Sequence, residues 1–425
     1  MAALIVAIFV LGYVAIVFEH PLKLNKSGTA LLTGVLCWTA YALGGGPHAT
    51  GEAFQSHVAE LSGILFFLLG AMTIVELVDA HDGFQLITSR ITTLSRRKLL
   101  VIVALLGFFL SAVLDNLTTS IFMMSLIRKL VRDEDDRMYY GGIVIIAANS
   151  GGAWSPVGDV TTTMLWIGGQ ITSTNLIKQL IIPSLVSVIV PVVWSALRMK
   201  GTVTRPLAID DESAAPSTPL DRKIVLFTGI GALLFVPVFK SVTHLPPFMG
   251  VLFGLGVLWT VTELIHKTKP DEHRGALTVA GALQRVDSPS ILFFLGILLA
   301  IAVLEDIGLL RSLAELMDRT IGNVDVITVC VGLSSAVIDN VPLVGATQGM
   351  YPLTTFPTDH HFWTFLAYCA GTGGSILIIG SAAGIAVMGL QRISFGWYVR
   401  KFSLPALLGY VSGALTYLAL TAAGM

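Results

Sequence analysis

Long uncharged apolar runs recur along this chain from end to end, and they leave few folds open. They fall at about residues 2–18, 29–44, 61–79, 99–131, 139–169, 176–197, 224–239, 247–265, 289–304, 325–351, 363–391 and 403–423. Many are about 17–25 residues long, the length a helix needs to cross hydrocarbon. In lipid such segments are helices, because no other open structure satisfies its own backbone. Only 12% of residues are charged, against roughly a quarter in soluble domains, and mean hydropathy is +0.80. The fold class expected is an all-α polytopic integral membrane protein whose main partner is the lipid bilayer. A formal net charge of −1 creates no field that attracts nucleic acid, so no nucleic-acid partner is expected. Cys37, Cys330 and Cys369 lie in apolar runs without metal-ligand or redox spacing and read as small buried residues. The first run lacks a basic leader and a small-residue cleavage site, so it reads as a retained helix.

Two runs have awkward lengths. Residues 99–131 are too long for one simple crossing and too short for two with a loop, at about 1.5 Å per residue. The acid of "SAVLDN", Asp115, sits in the middle. A re-entrant hairpin resolves this, with the chain turning at Leu114–Leu117. Residues 325–351 repeat the shape around "SAVIDN", with Asp339-Asn340 central and Pro342 suited to the first turn of the returning helix. Arg90, Arg96, Arg97 and Lys98 precede the first hairpin, and Arg128, Lys129, Arg132 and Arg137 follow it, which puts both its ends inside. The second hairpin is flanked by Arg311 and Arg319 on one side and Asp359-His360-His361 on the other, and reads as external. About ten crossings plus two hairpins, with both termini outside, put the remaining basic clusters inside. Those clusters are Lys23 and Lys26, then Arg198, Lys200 and Arg205, then Lys267, Lys269 and Arg274, then Arg392, Arg400 and Lys401.

The halves then have opposite orientation, and the letters repeat. "ILFF" recurs from Ile64 to Ile291, and "SAVLDN" recurs as "SAVIDN". "NSGGAWSPVGD", Asn149 to Asp159, parallels "GTGGSILIIGS", Gly371 to Ser381. The division expected is an inverted repeat over 1–198 (hairpin 99–131, broken helix 139–169), a cytoplasmic linker over 199–223, and a second repeat over 224–425 (hairpin 325–351, broken helix 363–391). The linker carries Pro206, Pro216, Pro219 and Asp210-Asp211-Glu212. It and the charged segment 266–287 read as water-exposed loops. Inverted repeats with broken helices meeting near the midplane characterise secondary transporters.

After Ala148 the stretch "NSGGAWSPVGDVTTT" interrupts an apolar run. Its glycines and proline are expected to unwind the helix into an elbow, tolerated at depth only where it lines a cavity or is buried in protein. Its carbonyls with Asn149, Asp159, Thr161 and Thr162, and the tip's Asp115, Asn116, Thr118 and Thr119, form an oxygen-rich lining suited to a hard cation such as Na⁺ or Li⁺. Asp and Asn at a turn also serve as plain helix caps, as do the threonines. Recurrence in two tips favours a functional reading. Glu76 with Asp79, and Glu305 with Asp306, end matching spans; Glu76 and Glu305 lie further in and are secondary candidates, as is Ser375. An acid at bilayer depth costs on the order of 3 kcal/mol. The nine histidines lie mainly in loops and read as solvated. No Lys or Arg falls in a tip or elbow, so the lining suits a cation better than an anion. Burial disfavours a carboxylate's charged form, so one such group can hold a proton or a metal cation in turn.

At these residues the chain resembles the NhaD family of sodium/proton antiporters, within a wider ion-transporter superfamily that includes arsenite and dicarboxylate carriers. The stretches that carry the resemblance are "SAVLDNLTTSIFM", "NSGGAWSPVGDVTTTMLW", "SAVIDNVPLVGA" and "AYCAGTGGSILIIGSAAG". It implies export of Na⁺ and Li⁺ in exchange for H⁺. It also implies roles for Asp115, Asn116, Thr118, Asn149, Asp159, Thr161 and Thr162, and for Asp339 and Asn340 in the second repeat. The expectation is therefore an antiporter of the cytoplasmic (inner) membrane that works by alternating access. It would need no cofactor, would not be an enzyme, and is a candidate homodimer. A cation-coupled carrier of an anion such as arsenite or a dicarboxylate is the alternative. A membrane enzyme would need a nucleophile–base pair or metal-ligand histidines at depth, which the sequence does not offer.

Overall fold

The computed structural model describes residues 1–17, 19–46, 52–84, 86, 91–206, 217–267 and 277–424. His48, Arg90, Asp210-Asp211-Glu212, Pro216, Lys269, His273 and Arg274 lie outside the described residues. The described chain is helical. No strand occurs in it, only an isolated bridge between Ser95 and Thr202. In chain order the helices are α1 (Ala2–Val17), α2 (Glu19–Leu22), α3 (Lys26–Leu43), α4 (Glu52–Ala80), α5 (Arg96–Leu114), α6 (Asn116–Leu130), α7 (Glu134–Gly152), α8 (Val160–Ile167), α9 (Ser173–Arg198) and α10 (Pro219–Thr243). They continue with α11 (Pro247–His266), α12 (Val279–Arg285), α13 (Ser288–Asp306), α14 (Leu309–Thr320), α15 (Val324–Ser334), α16 (Asn340–Met350), α17 (His361–Gly373), α18 (Ala382–Gln391), α19 (Phe395–Tyr398), a π-helical turn (Val399–Ser403) and α20 (Leu404–Ala422). Seven helices among the described residues are long and apolar enough to cross a membrane. This is a polytopic all-α membrane architecture.

Short polar caps start the helices where the sequence breaks. Asn25 accepts from Ser27 N, Asp133 from Asp136 N and Thr172 from Asn175 N, and Thr218 with Asp221 forms a reciprocal capping box. Each satisfies a backbone N–H that a first turn leaves open. The turn between α5 and α6 narrows to a single residue, Asp115, at φ 72°. With ψ at 163° it lies outside the left-handed helical well, in a region otherwise almost confined to glycine. In the second half residues 335–339 form the turn, and Pro342 lies in the first turn of α16.

Contacts repeat along with the letters. Ser111 Oγ donates to Ala148 O at 2.6 Å, and 224 residues on, Ser335 Oγ donates to Ala370 O at 2.9 Å. A side chain at Gly151 would strike the Phe108 carbonyl, and one at Gly373 would strike the Gly332 carbonyl. Gly158 packs on the backbone of Ser111 and Ala112 as Gly380 does on that of Ser335 and Ala336. In each half, therefore, a serine and close-packed glycines bind the first arm of a hairpin to the first half of a broken helix.

Three expectations need correction. The first broken helix does not unwind at Asn149: α7 runs to Gly152, and the break spans 153–159. Gly151 and Gly152 remain helical because they are needed for close approach, the first to α5 and the second to the Gly158 carbonyl. Cys330 is exposed while Cys37 and Cys369 are buried; it shares an outward apolar flank with Val326, Leu333 and Val337, a surface that hydrocarbon satisfies. His81 and His266 are buried and face each other, with Nε2 atoms 2.8 Å apart and stacked rings. His81 directly follows α4 and His266 ends α11, and these helices pack together, so the pair is not solvated. The start of the linker is exposed at Lys200, Gly201, Thr202 and Thr204 and is tethered to the body of the protein. Val203 N donates to Leu94 O, Arg132 N to Thr204 O and Arg205 Nη2 to Ile91 O, which ties 203–205 beneath the first hairpin.

Lys240 links the periphery to the broken helix. From the last turn of α10 its Nζ donates to Trp166 O at 2.7 Å and lies 4.5 Å from the centre of the Trp166 ring. The cation meets the negative end of α8. A hydrogen bond from a charged group contributes about 1.5–3 kcal/mol. Lys240→Met is expected to lower the thermal unfolding temperature of the purified protein, and Lys240→Arg to restore part of the loss.

Candidate cation site

The site forms where both hairpin tips meet the first elbow. Asp159 is the N-cap of α8, and its Oδ1 accepts from Thr161 N and Thr161 Oγ1, both at 2.9 Å. Its Oδ2 accepts from Asn116 Nδ2 at 2.7 Å. Asn340 Nδ2, from the other tip, lies 3.4 and 3.3 Å from Oδ1 and Oδ2. Asn116 Nδ2 also donates to Asn149 Oδ1 at 3.1 Å. Asn149 Nδ2 in turn donates to Ser375 Oγ and Ser381 Oγ, each at 2.9 Å, in the second elbow. Asp159, Asn116, Asn149, Asn340, Ser375, Ser381 and Thr161 are all buried. One carboxylate thus sits in a closed polar network that draws on five chain segments. Networks of this kind hold one geometry when fully satisfied.

Two tip residues approach the carboxylate unequally. The Asn116 bond has the length of a strong charge-assisted contact, whereas Asn340 sits at the long edge of hydrogen bonding. Half a turn of either amide about its terminal torsion would present Oδ1 instead of Nδ2 at the same place. The network can therefore offer donors to a bare carboxylate or oxygens to a cation beside it.

Other expected residues go elsewhere. Asp115 caps α6, accepting from Thr118 N and Thr118 Oγ1, each at 2.8 Å, and no hydrogen bond joins it to the Asp159 network. Asp339 caps α16, accepting from Val341 N at 3.1 Å, and faces a small cavity shared with Tyr13, Glu19, Lys26 and Phe293. Thr162 Oγ1 donates to Ser155 O and Asp159 O, and Thr163 Oγ1 to Pro156 O. These hydroxyls consume elbow carbonyls that looked free in the sequence. Glu76 meets Arg285 at 3.4 Å, near the end of α4. Glu305 lines an open cavity of about 390 Å³ with His57, Glu60, Gln170, Gln348 and Met164. Met164 is one turn along α8 from Thr161, so the cavity reaches toward the network from that side.

Sequence reasoning missed Ser381. It is the N-cap of α18, buried, and bonds Asn149. Its signal was present: it stands 222 residues after Asp159, at the matching place in the second elbow. Asn149, by contrast, has Gly371 as its counterpart, so the repeat supplies the amide only once.

At the surface, His360 caps α17: Phe362 N donates to its Nδ1 at 3.3 Å, and the ring stacks on Phe356 with centroids 4.8 Å apart. Partial burial and neighbouring His361 hold the imidazole below its ordinary 6.5. Since the folded state resists protonation, stability is complete above the unfolded value and is lost as pH falls from about 6.5 through the folded value. His360→Gln is expected to flatten this acid limb in thermal unfolding measured against pH.

Comparison with known proteins identifies the family. A family model described as "Citrate transporter" matches residues 13–364. Sodium/proton antiporter 1 of Arabidopsis thaliana is 50% identical over 97% of this chain and 71% of its own length. Sodium/proton antiporter 2 of the same plant is 47% identical over 97% of this chain and 98% of its own. The Na(+)/H(+) antiporter NhaD of Vibrio cholerae is 30% identical over 97% of this chain and 90% of its own. With matches of this extent, the chain belongs to the citrate-transporter family and groups within it with the NhaD antiporters.

Proposed function

We propose that the protein exchanges Na⁺ for H⁺ across a membrane by alternating access, with Asp159 as the carboxylate the two ions share. The observation that carries this is the buried Asp159, held by amides from both tips and in no salt bridge with a lysine or arginine among the described residues. An anion would meet a fixed negative charge there, so the anion-carrier reading is not favoured. A protonated Asp159 is neutral, because the bound proton cancels the carboxylate charge. Loss of that proton creates a negative site that a small cation neutralises, and Asn116, Asn149 and Thr161 supply oxygens. Because a single carboxylate cannot serve both ions at once, binding of one displaces the other.

The finer reading follows the sequence. Residues 1–198 and 224–425 act as inverted repeats whose tips enter from opposite faces, with both termini outside and Li⁺ carried as well as Na⁺. Recurrent contacts at matching positions support this division. Asp115 and Asp339 cap their returning half-helices and add negative potential near the tips. The protein would reside in the cytoplasmic membrane, with a homodimer as its assembly.

Proteoliposomes holding the purified protein and an internal pH dye test the function. A sodium gradient is expected to drive proton movement, and choline is not. Uptake of a labelled dicarboxylate with no sodium-driven proton movement would overturn the reading.

A further inference from the structure

At the basic end of the molecule, away from the Asp159 network, α5, α7, α9 and the π turn before α20 enclose an open cavity of about 510 Å³. Arg96, Arg198, Lys200 and Lys401 line it, together with Asp135, Asp136, Tyr139 and Trp397. Arg96 is committed to Asp136, with Nη2 to Oδ2 at 2.7 Å and Nε to Oδ2 at 2.9 Å. No carboxylate pairs with Arg198, Lys200 or Lys401 among the described residues. Arg198 lies over Trp194, its guanidinium carbon 3.8 Å from the ring centre. A cation over a ring face is held there and keeps N–H groups to donate. Three unpaired cations therefore converge on one concave site.

The opposite wall is aromatic. Tyr139 packs edge-on against Phe402 at 5.0 Å and Trp397 at 6.5 Å, with Trp397 on Phe402 at 5.7 Å. Outside the cavity, exposed apolar side chains lead away along two helices that pack together: Val193 and Leu197 on α9, and Leu404 and Leu408 on α20. Leu197 adjoins Arg198, and Leu404 lies one turn beyond Lys401. A soluble phosphate would use the cations and ignore both the aromatic wall and the apolar track.

We propose that this cavity binds a phosphate group, and that its source is the headgroup of an anionic phospholipid. The phosphate lies among Arg198, Lys200 and Lys401, the glycerol region rests against Tyr139 and Trp397, and the acyl chains run down the α9–α20 track. Basic pockets between membrane helices bind such headgroups. The site also has leverage on the hairpin. Arg96 starts α5, Tyr140 Oη donates to Arg96 O at 3.1 Å, and Arg97 Nε donates to Met199 O at 2.7 Å. A lipid seated here clamps the base of the arm that ends at Asp115.

The test is native mass spectrometry of the purified full-length protein, titrated with phosphatidylglycerol, with phosphatidylcholine, and with inorganic phosphate. The expected result is a saturable adduct with phosphatidylglycerol, formed much more weakly with phosphatidylcholine. In the Lys200→Gln/Lys401→Gln variant that adduct should weaken roughly thirty-fold, the loss expected for two basic residues near an anionic surface. Lys23→Gln, an exposed cation elsewhere, should bind as wild type, and an unchanged unfolding temperature for the double variant in phosphatidylcholine shows that it remains folded. Equal binding of phosphatidylglycerol by the double variant and wild type would overturn the site. Inorganic phosphate that competes at equal concentration would overturn the lipid as the source.

Discussion

Asp159→Asn is expected to abolish sodium-driven proton movement while leaving the protein folded. The replacement keeps the shape and an oxygen for the Thr161 cap, so the elbow retains its N-cap. It removes the charge that attracts the cation and the group that releases the proton. A unit charge pair 4 Å apart at an effective dielectric of about 20 is worth on the order of 4 kcal/mol, or about a thousandfold in affinity. The loss should appear in the dye assay as no response above choline at any sodium concentration within reach. Thermal unfolding separates this from misfolding. The new amide nitrogen would face the donating Nδ2 of Asn116, so a reduction of a few degrees is expected, but a single cooperative transition should remain. Asn340→Ala should be milder, because its contacts at 3.3 and 3.4 Å are long.

Gly151→Val is expected to cost the fold rather than the chemistry. A side chain at 151 would collide with the backbone carbonyl of Phe108, and a backbone, unlike the tip of a flexible side chain, cannot swing away. Overpacking a core costs about 1–3 kcal/mol and occasionally more, and a clash between two helix backbones belongs at the upper end. Gly373→Val should behave alike, since its neighbour is the carbonyl of Gly332 at the corresponding place in the second half. Gly256→Val is the control, for nothing lies within 4 Å of that position. The measurement is the yield of monodisperse protein and its unfolding temperature, with the first two variants expected to lose most of the yield and the control to match wild type.

Much of the site was legible because charge is costly in an apolar run. That cost, with the awkward run lengths, singled out Asp115 and Asp339 as turns, and the glycine- and proline-rich interruption marked Asp159 as the acid of a broken helix; the structure breaks its helices at these residues. Repetition then brought in Asn340, which reaches Asp159 from 181 residues away. What failed was any inference that required knowing how surfaces pack. Gly151 and Gly152 look like helix breakers in one dimension, yet their missing side chains serve a neighbouring helix. Thr162 looks like a ligand, yet its hydroxyl is spent on Ser155 O. Ser381 carries no charge and so raised no alarm, although its position matched that of Asp159. His81 and His266 are 185 residues apart, and no local pattern pairs them.

Whether sodium displaces a proton from Asp159 can be measured directly. Purified protein in a weakly buffered solution near neutral pH, followed with a pH dye, receives NaCl or choline chloride. The wild-type protein is expected to release protons on adding Na⁺ and not choline, and Asp159→Asn is expected to release none. Proton release by Asp159→Asn equal to that of the wild type would contradict it.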